Sequence, residues 1–164
     1  MTFSMYQASV PVFKQILTSL SAVLDKAEAH ATEKKIEPAA LLQARLYPDM
    51  FPLLRQVQVA ADFAKGCCAR LAGADVPRYE DTEESFADLR ERVARTLAFI
   101  SALPQDGIEA SAQRDITTSA RQFKGQDYLL HYALPHFYFH ATTAYAILRH
   151  NGLEVGKKDF IGSF

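Results

Sequence analysis

His136 and His140 stand four residues apart near the end of a 164-residue chain. On a helix this spacing puts both side chains on one face, with Cβ atoms about 5–6 Å apart. Two imidazole nitrogens so placed can capture a divalent metal together. The same spacing also serves two neutral histidines hydrogen-bonded inside a bundle, and the residues alone leave both open. Phe137 occupies the position where an HExxH peptidase carries glutamate, which excludes that chemistry. The chain has no GxSxG nucleophile motif and no glycine-rich phosphate loop. Cys67 and Cys68 are adjacent, so they cannot staple distant segments, and two buried thiols in a reducing compartment are expected.

The element that must carry the pair is a helix from about Gln126 to His150, closed by Asn151 and Gly152. Its apolar stripe runs Leu129, Ala133, His136, His140, Ala144 and Ile147, so both histidines face the core. His131 and His150 fall off that stripe, and His30 suits a surface or capping position. Pro135 should kink or locally break the helix.

Three further stripes predict three more long helices. The first runs from about Phe3 to Ala31 and buries Phe13, Ile16, Leu17, Leu20, Leu24 and Ala27. A short turn of helix follows, from Pro38 to Gln43. The second long helix starts near Pro48, presents Met50, Leu54, Val57, Ala61, Ala64, Cys68 and Leu71, and stops at Gly73. The third follows Thr82 as N-cap and buries Phe86, Leu89, Val93, Leu97 and Ile100, with Arg90, Arg92 and Arg95 on solvated faces. Ile116–Thr118 and Arg121–Phe123 suggest a small hairpin before the last helix. The tail from Leu153 onward reads as irregular, with Phe160 and Ile161 able to dock. The sum is an all-α, up-and-down four-helix bundle in one domain spanning residues 1–164.

Composition limits the partners. Eighteen Lys and Arg against 19 Asp and Glu give a net charge of −1, which argues against nucleic-acid binding by bulk electrostatics. Residues 128–148 lack any Asp, Glu, Lys or Arg, yet His131, His136 and His140 make a hydrocarbon-facing span expensive. A helix buried in a soluble, cytoplasmic bundle with no membrane contact is expected, since the N-terminus also lacks the pattern of a signal peptide. The last helix is apolar almost all round, through Phe137, Tyr138, Phe139, Tyr145 and Leu148. A second copy of the chain would cover what one bundle leaves exposed, which predicts a homodimer.

His136 to His140, followed by Arg149, Asn151 and Gly152, resembles the last helix of the DinB/YfiT-like superfamily. The stretches 5–13, 46–58 and 139–152 extend the resemblance to an uncharacterised, domain-of-unknown-function branch of that group. The resemblance implies a metal site between the second and last helices, commonly built from three histidines. His136 and His140 match two of them. The second helix here has no histidine, and Gln56 and Gln58 lie in the corresponding region. Gln58 is about 40° from Leu54 on the inward side and Gln56 about 160° away, which nominates Gln58 as third ligand to a Zn or Ni ion at low occupancy. Asp62, one turn beyond Gln58, flanks the stripe. Related members are metal-dependent transferases or isomerases that use small thiols, so one expectation is a degenerate enzyme of that type. The other is a non-catalytic bundle that works by dimerisation or by binding a small-molecule ligand or partner, with a structural histidine pair.

Overall fold

The computed structural model describes residues 3–119 and 121–163. Ala120, in the turn of the expected hairpin, and Phe164, at the end of the tail, lie outside the described residues, as do Met1 and Thr2. The long helices are α1 (Val10–Lys34), α3 (Leu53–Ala72), α4 (Phe86–Ser101) and α7 (Leu134–His150). Short helices α2 (Pro38–Leu42), α5 (Gln105–Glu109), α6 (Gly125–Tyr128) and α8 (Lys157–Ile161) punctuate the connections. Strands β1 (Asp115–Thr117) and β2 (Gln122–Lys124) pair antiparallel with Ile116 opposite Phe123, which is the expected hairpin. The architecture is the expected all-α four-helix bundle, in which α3 packs between α4 and α7 while α1 packs on α4 and α7.

Two helix starts lie later than expected, each for a proline-related reason. The Ser9 hydroxyl donates back to the Met5 carbonyl at 2.7 Å, and Pro11, lacking an N–H, then fits the first turn of α1. Pro52 is extended (φ −69°, ψ 165°) as the N-cap of α3, so the helix begins at Leu53 rather than near Pro48. At the other end Gly73 adopts φ 72° and closes α3 where the sequence places the stop.

The third helix is capped by Ser85, not Thr82. Ser85 Oγ accepts from the Asp88 N–H at 3.1 Å, and Asp88 returns a bond to the Ser85 N–H at 2.9 Å. Arg92 is a second correction: it is 2% exposed rather than solvated. The segment between α3 and α4 folds over that face, and Asp81 and Glu83 meet the guanidinium at 3.0 and 2.9 Å.

The last helix is continuous but not uniformly α. Residues Leu129–Ala133 form a π-turn between α6 and α7. Pro135 has no N–H to return to the preceding turn, and the wider turn absorbs the loss. The tail docks, and part of it is helical rather than irregular: α8 returns to α1, with Gln15 Nε2 donating to the Ile161 carbonyl at 3.0 Å and Lys26 paired to Asp159 at 2.6 Å. Phe13 and Phe137 meet edge-to-face at 4.8 Å and join α1 to α7 in the core.

Candidate functional site

The site grows from the interface of α3 and α7. Phe63 of α3 lies against both imidazoles, with centroid distances of 4.7 Å to His136 and 6.0 Å to His140 and interplanar angles of 19° and 15°. Both ring planes therefore lie close to parallel with that of Phe63. His140 is 9% exposed and His136 half-buried, so the helical stripe places the pair as the sequence predicts.

Hydrogen bonds fix the tautomer of each ring. His136 Nδ1 lies 2.7 Å from the Tyr132 carbonyl, which can only accept, so Nδ1 carries the proton. His140 Nδ1 lies 2.7 Å from Gln56 Oε1. Gln56 Nε2 donates to the Phe51 carbonyl at 3.1 Å, which sets the amide orientation and leaves Oε1 as acceptor. Both rings are thus Nδ1–H tautomers with an Nε2 lone pair committed to no described residue. Among the described residues the buried polar atoms without a partner are Arg90 Nη1 and Arg92 Nε, so both Nε2 atoms keep access to solvent.

The partner of His140 is Gln56, not Gln58. The assignment to Gln58 hangs on Leu54 as the centre of the inward face, but Leu53, Gln56, Val57 and Gln58 are all buried while Leu54 is only half-buried. A helix that packs between two others buries more than one stripe, and Gln56 faces α7 while Gln58 faces the connection to α4. Gln58 Nε2 donates to Glu83 at 2.7 Å, and Gln58 Oε1 accepts from Arg55 at 3.1 Å. Asp62 likewise turns away from the imidazoles, toward Lys65 at 2.8 Å and Arg92 at 3.0 Å. No cluster of three or more His, Cys, Asp or Glu suited to a metal is present among the described residues. A metal held here would have two protein ligands, His136 and His140, with Gln56 behind His140.

Burial pushes the His140 imidazole below its ordinary range, and His136 and Arg55 act in the same direction. At neutral pH the ring is uncharged and its lone pair available. The folded state then binds fewer protons than the unfolded chain as pH falls below about 6.5. In metal-free protein, stability is expected to be full above that pH and to decline below it, until the depressed value is passed. Urea midpoints at pH 7.5 and 5.5 check this: wild type should lose more than His140→Gln over that interval.

Cys67 and Cys68 are buried and unbridged, and burial pushes both thiols well up, so neither offers a thiolate. On another face of α7, Tyr138 and Phe139 are exposed (38 and 57%) and line an apolar groove with Leu46, which is 40% exposed. No helix among the described residues is long and apolar enough to cross a membrane.

Sequence reasoning passed over the network beside the site. Arg92, Asp62, Lys65, Asp81, Glu83 and Arg55, joined through the Gln58 amide, form one charged network between α3, α4 and their connection. The available signal was the acidic set Glu80, Asp81, Glu83 and Glu84 in a connection that has to pass Arg92.

A family model of a domain of unknown function, DUF1993, matches residues 5–161. A solved structure of a DinB family member from Shewanella denitrificans is similar, with 41% identity and a TM-score of 0.92 over 97% of this chain and 92% of that one. No curated protein matches.

Proposed function

As the chain belongs to the DUF1993 family of DinB-like bundles, whose function is unknown, we propose that His136 and His140 are ligands of a divalent metal, zinc or nickel, in a small-thiol transferase-type site. The observation that carries this is the common tautomer of the two rings. Each imidazole donates its Nδ1–H to a fixed oxygen, the arrangement that orients a histidine for metal binding through Nε2. The donor set fits a two-histidine site with the remaining positions open to water or substrate. When bound there, such a metal lowers the pKa of a thiol and supplies a thiolate nucleophile at neutral pH.

The protein's own groups do the rest. Gln56 holds the proton on His140 Nδ1 and so keeps the Nε2 lone pair free. Phe63 fixes both ring planes, and the Tyr132 carbonyl fixes His136. The test is zinc titration of chelator-treated protein without an affinity tag, in the presence and absence of a small thiol. One zinc per chain is expected, with tighter binding when the thiol is present. Absence of stoichiometric binding with the thiol present rejects the metal site.

A companion proposal concerns assembly. The hairpin and the tail cover two parts of the last helix: Phe123 packs on Tyr132 at 5.1 Å and Phe160 on Tyr145 at 5.8 Å. Tyr138 and Phe139 remain exposed between them, and a second copy of the chain would cover this stretch. Light scattering is expected to give twice the 18.3 kDa chain mass at micromolar protein. The chain mass at every concentration rejects the homodimer.

A further inference from the structure

A second chemical feature lies along α3 from the histidines and takes no part in holding them. Arg70 sits near the end of α3 and makes one hydrogen bond among the described residues, from Nη1 to Tyr128 Oη at 3.1 Å. No carboxylate of the described residues pairs with it. Its other donors are absent from the buried unpartnered atoms, so they keep solvent access.

Two observations bear on the position of the guanidinium. Gly66, one turn earlier and buried in the middle of α3, makes room for it: a Cβ there would stand 2.6 Å from Arg70 Nη1. Glycine is a poor helix former, and here it provides a notch for a charged group. Arg70 also lines a cavity of about 210 Å³ together with Phe63, Tyr128, Tyr132 and the hairpin residues Thr118 and Ser119. Tyr128, on which the guanidinium rests, is 1% exposed. Phe63 and Tyr132 pack on each other at 6.0 Å with their planes tilted by 59° and together form one aromatic wall of the cavity, and Tyr128 stacks on Tyr132 at 5.8 Å.

We propose that Arg70 anchors a binding subsite for small carboxylates with a flat apolar body, the carboxylate on the guanidinium and the body lying against the cavity face of the Phe63–Tyr132 pair. Asp62 also lines the cavity, with its charge shared by Arg92 and Lys65. One cation beside a carboxylate suits a monoanion and disfavours a dianionic phosphate. The row Tyr128, Tyr132, His136 continues from this cavity to the imidazoles, with Tyr132 and His136 centroids 4.4 Å apart. A carboxylate held at Arg70 therefore points its other end along the row toward the histidine pair. The subsite itself does not rest on the metal reading.

The test uses the full chain, metal-free, and follows amide and arginine Nε–H NMR signals during titration with sodium benzoate. Benzyl alcohol and phenyl phosphate serve as controls. Benzoate is expected to shift Arg70 and residues 117–119 and to bind about tenfold more tightly than benzyl alcohol, the contribution of a charge-assisted hydrogen-bond pair. Arg70→Met should reduce benzoate to the level of the alcohol. If Arg70→Met does not fold, Arg70→Lys replaces it, with an expected weakening of the same size. Undiminished benzoate binding by these variants overturns the subsite. So do shifts that map away from the cavity, no binding by wild type at about 50 mM, or tighter binding of phenyl phosphate.

Discussion

Arg92→Met lowers the unfolding free energy by about 3 kcal/mol, at the low end of the range for breaking a buried ion pair from one side. The Arg92 side chain is 1% exposed, and its guanidinium meets Asp62, Asp81 and Glu83 within 3.0 Å. Its removal leaves three carboxylates, of which Glu83 is 9% exposed. Burial pushes the Glu83 carboxyl up, but bonds from Arg92 and Gln58 outweigh it and hold it below the usual range. Asp62 and Asp81 are 35 and 44% exposed and retain Lys65 and Arg55, which keeps the loss from being larger. Urea unfolding measures the change, and hydrogen exchange should show reduced protection in residues 79–85. A loss below about 1 kcal/mol would mean that Arg92 is only a surface charge.

Gln56→Leu is expected to weaken zinc binding by about 10- to 100-fold, the effect of removing the group that orients a metal-bound histidine. Leucine keeps most of the volume at the α3–α7 interface but offers His140 Nδ1 no acceptor. The ring is then free to take the other tautomer, which places the proton on Nε2. Gln58→Leu should leave zinc affinity within about threefold of wild type, because Gln58 serves Glu83 and Arg55 instead. His140→Ala should abolish stoichiometric binding. Competition against a chromophoric chelator ranks the four proteins. Equal affinity for the Gln56 variant and wild type would remove Gln56 from the site, and a large loss in the Gln58 variant would restore the sequence-based assignment.

The fold was legible where one stripe meets one core. The stripe of the last helix placed His136 and His140 correctly, and Gly73 and the β-rich run before Gln126 marked a helix stop and a hairpin as they occur. Legibility failed where a helix has more than one buried side. On α3, packing between α4 and α7 buries Gln56, Val57 and Gln58 in succession, and no single stripe can rank two glutamines that face different neighbours. Arg92 was misread for a related reason. A helix face turned from the core looks solvated in sequence, and only the path of residues 74–85 shows that it is covered. Arg70 carries no signal in sequence beyond Gly66 four residues before it.

The central claim is that both imidazoles hold their protons on Nδ1 and offer Nε2 to a metal. Long-range proton–nitrogen NMR of the histidine side chains, recorded at pH 7.5 before and after one equivalent of zinc, addresses it directly. The account predicts Nδ1–H tautomers for His136 and His140 in metal-free protein, and a joint shift of their two Nε2 signals on adding zinc. Nε2–H tautomers, or Nε2 signals that ignore the metal, would contradict it.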